Sequence, residues 1–126
     1  MWDTRKEEHL HFLRAFRDNV LADSEAGRDY IFMLYNNSLE ILIFLIQNPL
    51  ITEETTGVID ELLPGIQLLL DGGEMSLSKK QLTGVESLLS KFEIKASPKL
   101  RAAIKKVKKD ISEGNVLKQL GISVIE

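Results

Sequence analysis

A helix can be read directly from the sequence SKKQLTGVESLLSKF, residues 78–92. Ser78 and Gln81 have the spacing of a capping box, in which each side chain bonds the free backbone N–H of the other residue. Apolar residues then recur every three or four positions between residues 82 and 92, and this spacing stacks them on one face of a helix. The sequence therefore predicts an amphipathic helix that packs its apolar face on neighbouring elements.

Similar signals lie on the C-terminal side of this helix. Ser97 and Pro98 form a helix start, with serine as the cap and proline at the first helical position. Gly114 predicts the end of that helix, because glycine commonly follows the last helical residue. Residues 113–126 form an apolar tail, for which we expect a short helix and an extended end, packed on the bundle or placed at an interface.

The N-terminal third of the chain carries two further helical patterns. Apolar spacing predicts one helix over residues 3–22 and another that starts near residue 25. We expect the second helix to break or kink at Asn36, Asn37 and Ser38, because such side chains compete for backbone hydrogen bonds.

The middle of the chain is the most apolar part of the sequence. Residues 39–47 are apolar on nearly all sides and predict a central helix that is buried on several sides. Residues 52–71 continue at helical spacing, and Pro64 within them should kink that helix or split it in two.

Length and composition fit one folded domain. The chain has 126 residues, of which 44% are apolar and 28% charged, and a globule of this size buries roughly two-thirds of the surface that its unfolded chain exposes. No segment shows sustained alternation with a period of two. We therefore predict an all-α fold, a single-domain bundle of about five to six helices over residues 1–126.

Composition also limits the chemistry. The chain contains no cysteine, which excludes disulfides, thiolate nucleophiles and cysteine-ligated metal sites. The most apolar run, residues 41–46, is far shorter than the roughly 20 residues needed to cross a bilayer. We therefore expect a buried helix there and no transmembrane segment. Residues 1–8 lack the apolar stretch of a secretory signal, so the compartment stays open.

Catalytic and metal sites find no support in the pattern of side chains. His9 and His11 are the two histidines, and residues two apart on a helix point to different sides, so they cannot share a metal. We expect both at the surface or at a boundary. Adjacent acids such as Glu53 and Glu54 also diverge. The sequence predicts a protein that is not an enzyme and has no cofactor, metal or identified small-molecule substrate.

Charge is segregated along the chain. Residues 97–126 carry seven Lys or Arg and three acids, a net charge of +4, whereas residues 1–96 carry nine and sixteen, a net charge of −7. Six basic residues lie on the polar side of helix 98–112, where they could contact an anionic partner. They are Lys99, Arg101, Lys105, Lys106, Lys108 and Lys109. The alternative is that this face complements the acidic remainder of the domain, and we favour it because the stripe has no aromatic residue for base stacking.

One segment carries a resemblance to a known family. LRAFRDNVL at 13–21, AGRDYI at 26–31 and YNNS at 35–38 resemble the C-terminal module of CFI-box proteins. In that family a Cys-Phe-Ile box precedes a Leu-Arg-x-Phe-Arg-Asp helix, then Gly-Arg and a Tyr-Tyr-x-x-Ser-Pro element. Here the cysteine box is absent, and Leu34 and Leu39 replace the first Tyr and the Pro.

The resemblance implies a context rather than a reaction. CFI-box modules usually end larger, often exported or surface-associated proteins, and the family has no assigned biochemical role. Beyond residue 38 the likeness continues as a loose pattern of helices that includes residues 96–101. We expect the shared residues to act structurally, with Gly27 permitting close approach of the first helix and charged side chains bonding at the helix junction: Arg17, Asp18 and Arg28.

These observations predict a non-catalytic helical module for protein interaction. Its partner would be another protein or a second copy of the chain, since symmetric dimers are the commonest assemblies. The expected contact, if the domain does not bury it, is the apolar tail: Val116, Leu117, Leu120, Ile122, Val124 and Ile125. The alternative is a domain that binds an anionic partner, nucleic acid or a membrane surface, through helix 98–112, with nucleic acid the less favoured of the two.

Overall fold

The computed structural model describes the backbone of residues 4–125 and the side chains of residues 7–125. Over these residues the fold is the predicted all-α bundle of six α-helices, joined by one small two-stranded sheet. A single 3₁₀ turn, Leu21–Asp23, follows the first helix. The elements in chain order are α1 Thr4–Asn19, α2 Glu25–Gln47, α3 Pro49–Leu70, β1 Met75–Ser78, α4 Lys79–Lys95, α5 Pro98–Glu113, α6 Asn115–Gln119 and β2 Ile122–Ile125.

The predicted helix caps of α4 and α5 are confirmed. Ser78 Oγ accepts from the Gln81 N–H at 3.1 Å, and Gln81 Oε1 accepts from the Ser78 N–H at 2.9 Å. Ser97 Oγ accepts from the Leu100 N–H at the start of α5. Gly114 ends α5 with a φ of 77°, a left-handed conformation that favours glycine.

The predicted break at residues 36–38 is wrong, because α2 is one continuous helix over Glu25–Gln47. Asn37 Nδ2 donates to the Met33 carbonyl at 2.8 Å, and Ser38 Oγ donates to the Tyr35 carbonyl at 3.0 Å. Both side chains thus bond to carbonyls of the preceding turn of the same helix, where they do not displace its backbone hydrogen bonds.

Helix α3 also departs from its prediction. It begins at Pro49 rather than Thr52, and Pro64 does not split it. Pro49 suits the first turn because the N–H that proline lacks would have no partner in the helix there. Asn48 ends α2 and precedes α3, so the two longest helices are joined through a single residue.

The small parallel sheet was not predicted. β1 pairs with β2 in the register Met75 with Ile122 through Ser78 with Ile125, and helices α4 to α6 form the crossover between the strands. Each strand has four residues, too few for alternation to stand out in a sequence. Met75 and Leu77 are nevertheless buried while Ser76 is exposed, as the period of a strand requires.

The main hydrophobic cluster lies around this sheet. Strand and tail residues meet a helix and the 3₁₀ turn there: Leu21, Ile66, Met75, Leu77, Leu120 and Ile122. A second cluster is formed by Ala96, Leu100 and Ile104. Phe44 and Phe92, whose ring centroids are 4.6 Å apart, join α2 to α4.

We predict that Ile122→Ala lowers the free energy of unfolding by about 2–5 kcal/mol, because it deletes buried methyl groups and leaves a cavity. Ile125→Ala is the matched control, since Ile125 lies in the same strand but is 50% exposed. The control should change stability far less. Urea denaturation followed by circular dichroism measures both values, and equal losses would contradict the placement of the tail in the core.

Candidate functional site

The most exposed apolar surface of the domain lies along α2. Its side chains, together with one at the start of α3, are between 46% and 81% exposed. We name this set the α2 face: Phe32, Tyr35, Leu39, Leu42, Ile43, Ile46 and Leu50. Monomeric soluble proteins rarely expose contiguous apolar patches of this kind.

The prediction that residues 39–47 form a helix buried on several sides is wrong, because this stretch contributes to the exposed α2 face. Phe44 is buried there, but Leu42, Ile43 and Ile46 are about half or more exposed. The prediction was wrong because an apolar sequence does not show which sides of a helix find neighbours. The buried side of α2 carries Tyr30, Met33 and Asn37 instead, and it faces α5 and the core.

The α2 face follows a heptad pattern. Phe32, Tyr35, Leu39, Leu42 and Ile46 are separated by three, four, three and four residues, the spacing by which a helix packs along another helix. This pattern covers about two heptads and contains no charged residue.

Length and composition would also allow α2 to cross a membrane. In the described part of the chain, α2 is the one helix that is long and apolar enough to span a bilayer, and few of its apolar residues are buried. Core helices of folded proteins can be equally long and apolar. The expectation that the chain has no transmembrane segment therefore stays a prediction.

The predicted tail interface is mostly part of the domain itself. Leu120 and Ile122 are buried in the main hydrophobic cluster, and Val116 and Leu117 pack against it. Only the end of β2 presents apolar side chains at the surface among the tail residues described, at Val124 and Ile125. Of the two placements expected for the tail, packing on the bundle holds for Val116, Leu117, Leu120 and Ile122, and these residues are therefore corrected from a contact surface to core residues.

The basic side chains of α5 contact groups on the bundle. Lys108 Nζ lies 2.7 Å from Glu93 Oε1 and 2.8 Å from Ser90 Oγ. Arg101 donates to two backbone carbonyls at the end of α4, those of Glu93 and Ala96. These contacts fix α5 on α4, and hydrogen bonds from Lys108 lower the pKa of Glu93.

The other basic residues of α5 also lie near polar groups of the domain, and for two of them these groups belong to α5 itself. Lys99 Nζ donates to the Asn36 carbonyl of α2, and Lys106 Nζ lies 3.1 Å from Asp110 Oδ2. Lys109 is 3.9 Å from Glu113 on the exposed side, and Lys105 adds its charge near Glu93. The basic side chains of α5 thus make most of their polar contacts within the domain.

The residues of the CFI-box resemblance lie at the junction of α1 and α2. Arg17 bonds Asp18 at 2.8 Å and donates to the Tyr35 hydroxyl at 3.1 Å. Arg28 donates to the Ala22 carbonyl at 3.1 Å. Gly27 is buried against the 3₁₀ turn, where an added Cβ would lie 2.0 Å from the Leu21 carbonyl oxygen. This cluster holds the turn between the two helices.

The expectation that both histidines lie at the surface or at a boundary is wrong for His9. Its side chain is buried between α1 and α3, and Nε2 lies 2.5 Å from Asp60 Oδ1. Burial of an imidazole is tolerated when a carboxylate bonds it. Among the described residues, no group of three or more His, Asp or Glu is placed to hold a metal ion.

A cavity of about 430 Å³ lies at the centre of the bundle, lined almost entirely by apolar side chains from all the elements. This space is partly open to solvent, and a volume of this size is within the range of small-molecule sites, which are mostly apolar.

Two polar contacts tie α2 to α5 beside this cavity. The Tyr30 hydroxyl donates to Asp110 at one end. At the other end, Glu40 accepts from the Ser97 backbone N–H at 2.7 Å and from its hydroxyl at 2.5 Å. Those bonds lower the pKa of Glu40. Burial raises the pKa of Tyr30, and the hydrogen bond to Asp110 raises it further.

The carboxyl of Asp110 lies under opposing influences. Burial raises its pKa, but hydrogen bonds from Tyr30 and Lys106 outweigh burial and hold the pKa below the ordinary value of 3.8. Lys106 also lies over the Tyr30 ring, 5.5 Å from its centroid. The three side chains form one polar cluster between α2 and α5.

Comparison with known proteins adds no relative: no family model, curated protein or solved structure matches this chain. The CFI-box resemblance therefore stays a prediction.

We predict that Gly27→Ala destabilises the domain by roughly 1–3 kcal/mol, because the new methyl group overlaps the Leu21 backbone and forces it to shift. Gly84→Ala is the control. Nothing lies within 4 Å of a Cβ placed at Gly84, so alanine in α4 should instead stabilise by about 0.5–1 kcal/mol. Thermal and urea denaturation measure both signs, and a neutral Gly27→Ala would contradict the close approach.

We predict that the stabilising effect of Asp110 depends on pH. Because its pKa is lower in the folded state, the carboxylate stabilises the fold above about pH 4 and loses that effect as pH falls through the folded pKa. The unfolding free energies of the wild type and of Asp110→Asn should therefore converge in acid. Asp29→Asn, at an exposed position of α2, provides the control. A difference for Asp110→Asn that stays constant from pH 7 to about pH 2 would contradict the prediction.

Proposed function

We propose that this domain is a non-catalytic association module that forms a symmetric dimer through the α2 face. The observation that carries the proposal is the heptad row of exposed apolar side chains on α2. Covering such a row removes apolar surface from water, which drives association. A standard interface buries roughly 800 Å² per partner, and the seven side chains of the α2 face supply area of that order.

The order of side chains along the α2 face allows it to pack against the same face of a second copy. A two-fold axis near Leu39 would align two α2 helices antiparallel and bring Phe32 of one copy beside Ile46 of the other. The large aromatic end then meets the aliphatic end, and side chains of these different shapes can interdigitate. Leu39 would lie against its own symmetry mate, which is the arrangement of an isologous interface.

Charge supports self-association over a membrane or an anionic partner. The α2 helix carries Glu25, Arg28, Asp29 and Glu40, a net charge of −2, whereas helices that lie on membrane surfaces are rich in Lys and Arg. The row itself is uncharged, so pairing two copies brings no like charges together along it. The alternative of an anionic partner at α5 has less support, because those basic side chains contact acceptors within the domain.

We predict that Leu39→Asp weakens the dimer by more than about 30-fold, the scale of losing a central interface residue, since two carboxylates would meet at the axis. Light scattering coupled to size exclusion measures the mass over a range of concentrations. Leu68→Asp is the matched control, because Leu68 of α3 is 53% exposed and lies outside the α2 face. The dimer should persist between about 0.1 and 1 M salt, because apolar contacts are not screened.

Three results would overturn this proposal. The first is a wild type that stays monomeric at every concentration. The second is equal dissociation of both variants while circular dichroism shows both folded. The third is a monomer that binds vesicles of zwitterionic lipid and loses that binding with Leu39→Asp, which would assign the α2 face to a membrane.

A further inference from the structure

The central cavity is partly open to solvent, and side chains of both α2 and α5 line it. Leu34 of α2 lines it and is also 56% exposed. The polar contacts of Tyr30 with Asp110 and of Glu40 with Ser97 join the same two helices.

Asn37 is the one amide side chain in the wall of this cavity. It is 5% exposed, and its Nδ2 donates to the Met33 carbonyl at 2.8 Å. That bond fixes which end of the amide is the donor. Oδ1 then accepts no hydrogen bond from any residue in the described part of the chain. A buried acceptor without a donor is costly, so this position calls for one.

We propose that the cavity binds a neutral aliphatic molecule with one terminal hydrogen-bond donor, of the fatty-alcohol class. The aliphatic chain of the ligand lies among the apolar side chains of the cavity, and its hydroxyl donates to Asn37 Oδ1. A volume of about 430 Å³ falls within the roughly 300–1,000 Å³ of small-molecule sites, which are mostly apolar with a few orienting polar groups.

Water alone suits the position less well. A buried water needs two to four polar partners, and around Asn37 the walls are apolar. An ionised head group is also disfavoured, because a charge that enters an apolar space without a partner is strongly penalised. A hydroxyl on an apolar chain satisfies the acceptor and fills the remaining space at once.

The first test compares two probes on the wild-type chain by isothermal titration calorimetry and by the shift in melting temperature. The probes are 1-decanol and 1-methoxynonane, which have the same number of heavy atoms but differ in the donor. We expect 1-decanol to bind about tenfold more tightly, the scale of one hydrogen bond to a buried group. Ionised decanoate at neutral pH should bind more weakly than 1-decanol.

Two variants locate the site. Asn37→Leu has similar volume and no acceptor, so it should abolish the preference for 1-decanol over 1-methoxynonane. Ala103→Phe should reduce the binding of both, because the ring occupies the cavity. Leu39→Asp should keep the wild-type preference, which separates this inference from the proposed dimer.

Failure to bind either neutral probe would overturn the inference, and so would equal affinities on the wild type. The comparison of probes on the wild type needs no variant to fold. A preference for 1-decanol that survives in Asn37→Leu would also overturn it, since the donor would then meet some other group.

Discussion

The parallel pairing of β1 with β2 is the contact on which the rest of the domain depends. Parallel strands cannot be joined by a tight turn, so the chain between them must cross over the bundle, and here α4, α5 and α6 make that crossover. The pairing brings Ile122 beside Met75 and places both in the main hydrophobic cluster. This pairing therefore fixes the two ends of the segment that contains the three helices.

Helix α2 then has two different sides. One side faces α5 and the cavity through residues such as Tyr30 and Asn37, and polar contacts with Asp110 and Ser97 hold it there. The opposite side is the α2 face. A long helix usually buries one apolar stripe and exposes polar residues on the other. The presence of apolar residues on both sides of α2 is the physical reason to look for a partner.

Local signals could be predicted from the sequence, and contacts between distant residues could not. The caps at Ser78, Ser97 and Gly114 depend on neighbours a few positions away, and all three are confirmed. The burial of His9 depends on Asp60, which is 51 residues distant. The α2 face follows a heptad pattern in the sequence, but the apolar composition of residues 41–46 predicts burial, because apolar residues are usually buried. The cavity follows from packing among all the elements, for which no local pattern exists.

The position of β2 in the chain also governs the order of events during synthesis. Met75 pairs with Ile122, which is synthesised 47 residues later. Non-local pairings of this kind slow folding. Until residues 122–125 have emerged from the ribosome, the side chains of the main cluster lack part of their cover. Nascent chains in that state expose apolar surface and are prone to aggregation.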